Sequence, residues 1–311
     1  MKKTIKILAY AIGILLFLVM AAAAYFQFAP NPTYDPPVIP DLAVQLTPER
    51  VAEGHRIALM LCNDCHMGSD GKLSGKEMKD VPPEFGVFFT QNITQDPEYG
   101  IGSWTDGELY SFLRTGIRKD GTFAAVMSQF PRVSDEDLFS IIAFLRSDDP
   151  VVQPSSHVPP SSKPALLGNF LIKAVLRPQP FPDQPVPPPD TLDAVAWGRY
   201  LADDLYGCYD CHSANFATND LSIPEKSKGF YGGGNKLLDE EGKPIYSTNL
   251  TPNKETGLGR YTEAQFVEML KYGRRPDSAD PIRYPMRPHL LLSDSEAKAI
   301  FAYLQTLPVQ P

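Results

Sequence analysis

Two short stretches constrain this chain more than anything else in it: Cys62-Asn63-Asp64-Cys65-His66 and Cys208-Tyr209-Asp210-Cys211-His212. Cys-x-x-Cys-His is the pattern of covalent c-type haem attachment. Two thiols on one helical turn form thioethers to the vinyl groups of a single porphyrin, and the adjacent histidine supplies the proximal iron ligand. The chain has four cysteines and the two motifs use all of them, so no disulfide framework is implied. Redox dithiols and zinc sites also use Cys-x-x-Cys. A zinc site would have to join pairs 146 positions apart, far outside the spacings of fingers and ribbons. A thioredoxin-like dithiol wants a βαβ context that neither pair has. The cofactor implied is two covalently bound haem c groups on Cys62, Cys65, Cys208 and Cys211, with His66 and His212 as axial ligands.

The N-terminus places Lys2, Lys3 and Lys6 ahead of an uncharged stretch from Ile7 to Phe28. As a helix these residues rise about 33 Å, enough to cross the hydrocarbon core of a bilayer. The flanking lysines predict a cytoplasmic N-terminus, with everything after Pro30 on the outer side. Ala22-Ala23-Ala24 offers a signal peptidase its small residues, but the apolar run continues past them through Phe28. Residues 1–28 are therefore expected to be a retained transmembrane anchor, with a cleaved signal peptide as the alternative. Residues 35–311 carry 26 basic and 37 acidic side chains, a net of −11. That balance argues against nucleic acid and toward a partner with a basic docking patch. It also serves solubility alone.

With 311 residues the chain has room for two domains, and it is written as one unit twice. Ala52-Glu-Gly54 precedes the first motif as Ala196-Trp-Gly198 precedes the second. Asn92-Ile-Thr…Gly102-Ser-Trp104-Thr is matched by Asn249-Leu-Thr…Gly259-Arg-Tyr261-Thr. Helices follow over Glu108–Gly116 and Ala264–Gly273, with the glycines as C-terminal caps. Ser134-Asp-Glu-Asp137 and Ser293-Asp-Ser-Glu296 then open closing amphipathic helices, at a constant offset of 159 from Met127/Met286 to Phe144/Tyr303. The expected organisation is a Pro-rich tether over 29–45, a first domain over 46–148, a linker over 149–190 with twelve prolines, and a second domain over 191–311. An apolar piece from Leu166 to Leu176 reads as a helical strap packing across both domains.

The sixth iron position decides what each haem does, and a thioether sulfur there closes the site to other ligands. Outside the anchor the methionines are Met60, Met67, Met78, Met127, Met269 and Met286. Met60 and Met67 lie beside the first motif and cannot cross to the far face. Met269 sits in a periodic apolar helix, and Met78 is close to its own motif. Met127 and Met286 remain, each in an irregular segment just before a closing helix. Trp104 and Tyr261, whose N–H or O–H would reach a propionate, and Asn92 and Asn249, as loop-fixing groups, are the further candidate pocket residues.

Approach helix, Cys-x-x-Cys-His, middle helix, methionine loop and closing helix together resemble class I c-type cytochromes, over most of residues 46–148 and 191–311. More narrowly, Asn92–Trp104 is similar to the same stretch in the cytochrome c subunits of membrane-bound alcohol, aldehyde and sugar-acid dehydrogenases. Those subunits often carry three haems, whereas this chain has two motifs. The resemblance implies an all-α fold, with an N-terminal transmembrane helix followed by two tandem class I cytochrome c domains joined by a Pro-rich linker. It also implies electron transfer as the only chemistry, with no catalytic residue. The expected setting is the inner membrane, with the haem domains on the periplasmic side. Donors would be a membrane dehydrogenase or quinol-oxidising complex, and acceptors a terminal oxidase or soluble carrier. The alternatives are a diheme peroxidase, which needs one open iron site, and a haem-based gas sensor.

Overall fold

The computed structural model describes residues 2–239 and 241–311. Helix α1 runs Lys2–Phe28; over Lys3–Phe28 it is long and apolar enough to cross a membrane, and none of that span is buried. Then come α2 (Pro48–Leu61) and the attachment turn α3 (Asn63–His66), followed by α4 (Asp106–Thr115) and α5 (Asp135–Leu145). A short α6 (Leu166–Phe170) continues as a π-helical turn over Leu171–Val175. The second half repeats the first series. Helix α7 (Ala194–Arg199) extends through a π-helical turn over Tyr200–Leu205, and α8 (Cys208–His212), α9 (Glu263–Tyr272) and α10 (Asp294–Leu304) follow.

The helices start and stop where side chains can satisfy their end groups. Thr105 and Thr262 cap α4 and α9 in full capping boxes with Glu108 and Gln265. Gly116 and Gly273 end those helices at φ 75° and 70°, in the left-handed region. Ser134 and Ser293 cap the closing helices. Two small antiparallel ribbons depart from the all-α expectation. They are β1 (Gly86–Val87) with β2 (Lys163–Pro164), and β3 (Lys236–Leu238) with β4 (Pro244–Tyr246). At two or three residues a strand is too short for an alternating pattern to declare it.

In each half the approach helix lies across the closing helix, α2 on α5 and α7 on α10. A Cβ on Gly54 would stand 1.7 Å from the Ser140 carbonyl oxygen, and one on Gly198 would stand 1.9 Å from that of Ala299. These matched glycines let the two backbones touch. Ile57, Ala58, Leu138, Ile141, Ile142 and Phe144 fill the first contact, and Leu201, Ala297, Ile300, Tyr303 and Leu304 the second.

The halves also meet each other, through matching positions. Arg56, two residues after Gly54, pairs with Glu296, the third helical residue of α10, at 2.8 Å. Tyr200, two residues after Gly198, donates to Asp137, the third helical residue of α5, and its oxygen accepts from the Ser134 N–H at 3.0 Å. One pair of positions thus meets in both directions, which is the signature of a two-fold related contact.

The expected tether and strap are both laid onto the first half. Residues 29–45 are extended but bonded along it: Tyr34 N–H to Gly121 O at 2.9 Å, Ser111 Oγ to Val38 O at 3.0 Å, and Val44 N–H to Asp106 Oδ2 at 2.9 Å. Helix α6 packs chiefly on residues 83–87 and on the end of α1, rather than lying as a strap between the halves. Phe26 and Phe170 stack edge-on at 5.0 Å, and Lys173 Nζ donates to Phe26 O at 2.6 Å. The linker then crosses α4 and α5, with Phe181 against Tyr110 and Val186 O accepting from the Asp135 N–H.

Replacing either Gly54 or Gly198 with alanine forces these backbones apart. Each is expected to cost about 1–3 kcal/mol of stability, read as a lowered denaturation midpoint.

Candidate metal centres

Cys62 is the C-terminal cap of α2, and one short turn follows it. The Cys65 and His66 N–H groups both donate back to the Cys62 carbonyl, at 3.2 and 2.8 Å. Two thiols and an imidazole are thereby held on a single turn, and α8 does the same with Cys208, Cys211 and His212. All four cysteines are free and half-buried. Burial pushes the Cys62 and Cys208 thiols up to about 12 and Cys211 to about 11, and raises Cys65 as well. A redox dithiol needs the reverse, a thiol pKa depressed by nearby positive charge. Protonated, sheltered thiols suit permanent conversion to thioethers.

The two histidines are fixed identically. His66 Nδ1 lies 2.7 Å from the Gln91 carbonyl oxygen and His212 Nδ1 lies 2.8 Å from that of Thr248. A carbonyl only accepts, so Nδ1 carries the proton and the Nε2 lone pair is left for a metal. Both imidazoles are buried, and that burial lowers their pKa values and keeps them neutral, as ligation requires.

Asn92 and Asn249 each stand directly after the accepting carbonyl. Asn92 Oδ1 accepts from the Thr94 N–H and hydroxyl, and its amide donates to Ser155 O at 2.7 Å and His157 O at 3.0 Å. Asn249 Oδ1 accepts the same pair from Thr251, and its amide donates to Thr256 Oγ1 and to Gln310 O. In both halves the asparagine ties the histidine's acceptor loop to the segment beyond the closing helix. Gln91 and Thr248 escape residue-by-residue reading because they act through backbone. Their signal is position, immediately ahead of a repeated Asn-x-Thr.

Met127 and Met286 are half-buried against the core, on loops pinned at both ends to the middle helices. Ala124 N–H bonds Gly116 O and Phe130 N–H bonds Leu113 O; Ile282 N–H bonds Gly273 O and His289 N–H bonds Leu270 O. A cation from each middle helix pairs with an aspartate at the start of the closing helix, and in the first half it also bonds the loop. Arg114, fully buried, donates to Phe130 O and pairs with Asp135 at the start of α5. Lys271, at the matching position, pairs with Asp294 at the start of α10. Trp104 and Tyr261 open α4 and α9. Trp104 stacks edge-on against Phe112 at 5.4 Å and its carbonyl accepts from Arg146. The Tyr261 hydroxyl, expected at a propionate, donates here to Asp277 at 2.6 Å.

No family model matches the chain. Over 268 residues, 80% of its length, it is 32% identical to the cytochrome c subunit of alcohol dehydrogenase (quinone) from Gluconobacter oxydans, covering 53% of that protein. It is similar to c-type cytochromes. The fructose dehydrogenase cytochrome subunit of Gluconobacter japonicus is 30% identical over 84% of the chain, which covers 53% of it. A diheme cytochrome c-type protein of Cereibacter sphaeroides is 28% identical over 95% of the chain and 97% of its own length. The chain thus spans about half the length of the dehydrogenase subunits it matches. A chain of the reducing HAO-like protein complex of Kuenenia stuttgartiensis aligns over 86% of this one at 14% identity, with a TM-score of 0.24, and carries no argument. Relationship to cytochromes c implies covalently bound haem c, and the thiols and neutral imidazoles described above fit it.

One difference between the halves bears on stability. Asp203, 1% exposed, accepts from the Tyr231 and Tyr303 hydroxyls, both at 2.6 Å. Burial outweighs these donors and raises its pKa to about 6. A carboxyl with a folded pKa above its unfolded value holds its proton more tightly when folded. Its contribution to stability is full below about pH 4 and is lost as pH rises through about 6. Unfolding free energy is expected to fall across that window, and Asp203→Asn to remove part of the slope in chemical denaturation. Asp210, raised to about 6 mainly by burial, supplies another part.

Proposed function

We propose that this chain is a membrane-anchored cytochrome with two covalent haem c groups, and that it carries electrons between partner proteins without binding a substrate at iron. The observation that carries the reading is the doubled histidine geometry: each motif imidazole donates through Nδ1 to a backbone carbonyl and presents Nε2. Haem supplies the one-electron chemistry. The protein's part is to fix the proximal imidazoles, to close the far side with Met127 and Met286, and to exclude water from both. The matched capping, glycine contacts and loop pins support a reading as two tandem units of the class I kind, over 46–148 and 191–311.

The printed names of the relatives, subunits of alcohol, fructose and gluconate dehydrogenases, support a membrane dehydrogenase as electron donor. Helix α1 supports retention at the membrane, with the haem units on the periplasmic side. A terminal oxidase or a soluble carrier would take the electrons onward.

Alkaline pyridine treatment of the purified holoprotein is expected to report two haems c per chain. The ferric protein should show two equivalents of the long-wavelength sulfur-to-iron band. Met127→Ala or Met286→Ala should each abolish one equivalent, lower the potential of that site and admit carbon monoxide to it. Loss of neither band would overturn the methionine assignment. A single band in the unaltered protein, with rapid carbon monoxide binding at the other site, would favour a peroxidase or sensor.

A further inference from the structure

The loop that carries Met286 reaches beyond its own half. Arg287, the next residue, places Nη1 3.0 Å from Asp64 Oδ1, and Asp64 lies inside the first motif, between Cys62 and Cys65. Two residues before Met286, the Tyr284 ring lies against the Arg287 guanidinium at 5.3 Å. At the other end of the segment stands His289, whose N–H donates to the Leu270 carbonyl at 2.8 Å. Its Nδ1 is buried without a hydrogen-bond partner among the described residues. Its ring stands edge-on to Tyr206, two residues ahead of Cys208, at 6.3 Å. Residues 284–289 therefore reach the first attachment turn through Arg287 and, through His289, the residues just ahead of the second.

We infer that this segment couples the two iron sites: Met286 serves the second, while Arg287 sets the charge beside the first through its pairing with Asp64. The inference deepens the reading of two methionine-ligated haems and rests on it. A cation near a haem favours the reduced state and an anion the oxidised state, so a close Arg–Asp pair presents the first site with nearly cancelled charge. Both side chains are about half exposed, which damps the effect without removing it. The first half has no counterpart to Arg287, since Ser128 stands at the matching position. Its crossing residue is Arg132 instead, which pairs with Asp204 at 2.5 Å and donates to Asp203 O at 3.1 Å, just ahead of the second motif. With both haems bound, the driving force for moving one electron between the sites, with no bond made or broken, would be the potential difference that these cross-seam charges adjust. Arg287 and Asp64 act as positioning residues for charge.

The test is a spectroelectrochemical titration of the full-length holoprotein, with the two waves assigned by Met127→His, which lowers the first. Arg287→Gln should lower the first-site potential and Asp64→Asn should raise it. The double variant, with both opposed charges gone, should lie close to the unaltered protein, the two single shifts cancelling, and Arg287→Lys should restore most of the first-site potential. Shifts confined to the second site, or single shifts of the same sign, would overturn the coupling. Should Arg287→Gln fail to load haem, Asp64→Asn and Arg287→Lys decide the matter by the same criteria. A haem count below two, or a missing sulfur-to-iron band in the unaltered protein, would remove the two-haem reading itself. Two intact bands with an unmoved first potential would remove only the coupling.

Discussion

Everything about the two candidate centres depends on one hydrogen bond made twice, from a motif imidazole to a backbone carbonyl. It selects the tautomer, aims the second nitrogen, and fixes the ring relative to the turn that bears the thiols. The carbonyl is useful only if it does not move. Asn92 and Asn249, next in sequence, lock it to the segment beyond the closing helix. Closing helix, acceptor loop and attachment turn therefore form one stiff circuit in each half. The approach helix joins that circuit through the bare backbone contact at Gly54 or Gly198.

The attachment motifs and helix starts were the most legible parts of the sequence, because Cys-x-x-Cys-His and Ser-x-x-Glu declare themselves by residue type. The repeat was legible because both copies keep the order of their signals and, from the methionine to the end of the closing helix, their spacing. Contacts made by backbone were not. Nothing in the identities of Gln91 or Thr248 marks them as histidine acceptors, and ribbons of two or three residues are too short to show a period. Contacts between halves were hidden for another reason. Arg56–Glu296 and Tyr200–Asp137 join residues far apart in the chain, and an arginine at one matched position answers a tyrosine at the other. Residue type was not kept where geometry was.

That exchange shows how a duplicated contact drifts. Arg56 meets Glu296 with a charge. Tyr200 meets Asp137 with a hydroxyl, and burial raises the Asp137 carboxyl above its usual range. The same divergence separates the approach helices, where Asp203 and Asp204 in the second half stand in for apolar neighbours in the first. Two sites built on one plan thus sit in different electrostatic surroundings, as two centres must if electrons are to run downhill between them.

The packing of residues 29–45 along the first half, together with Phe26 against Phe170, changes what α1 can do for the rest of the molecule. A slack leash would let the head roam and sample neighbours at many angles. Here the leash is glued down along its length, so the attachment turns stand at a set height and heading above whatever holds α1. Contact then falls to the other party, which must arrive at that level and in that orientation.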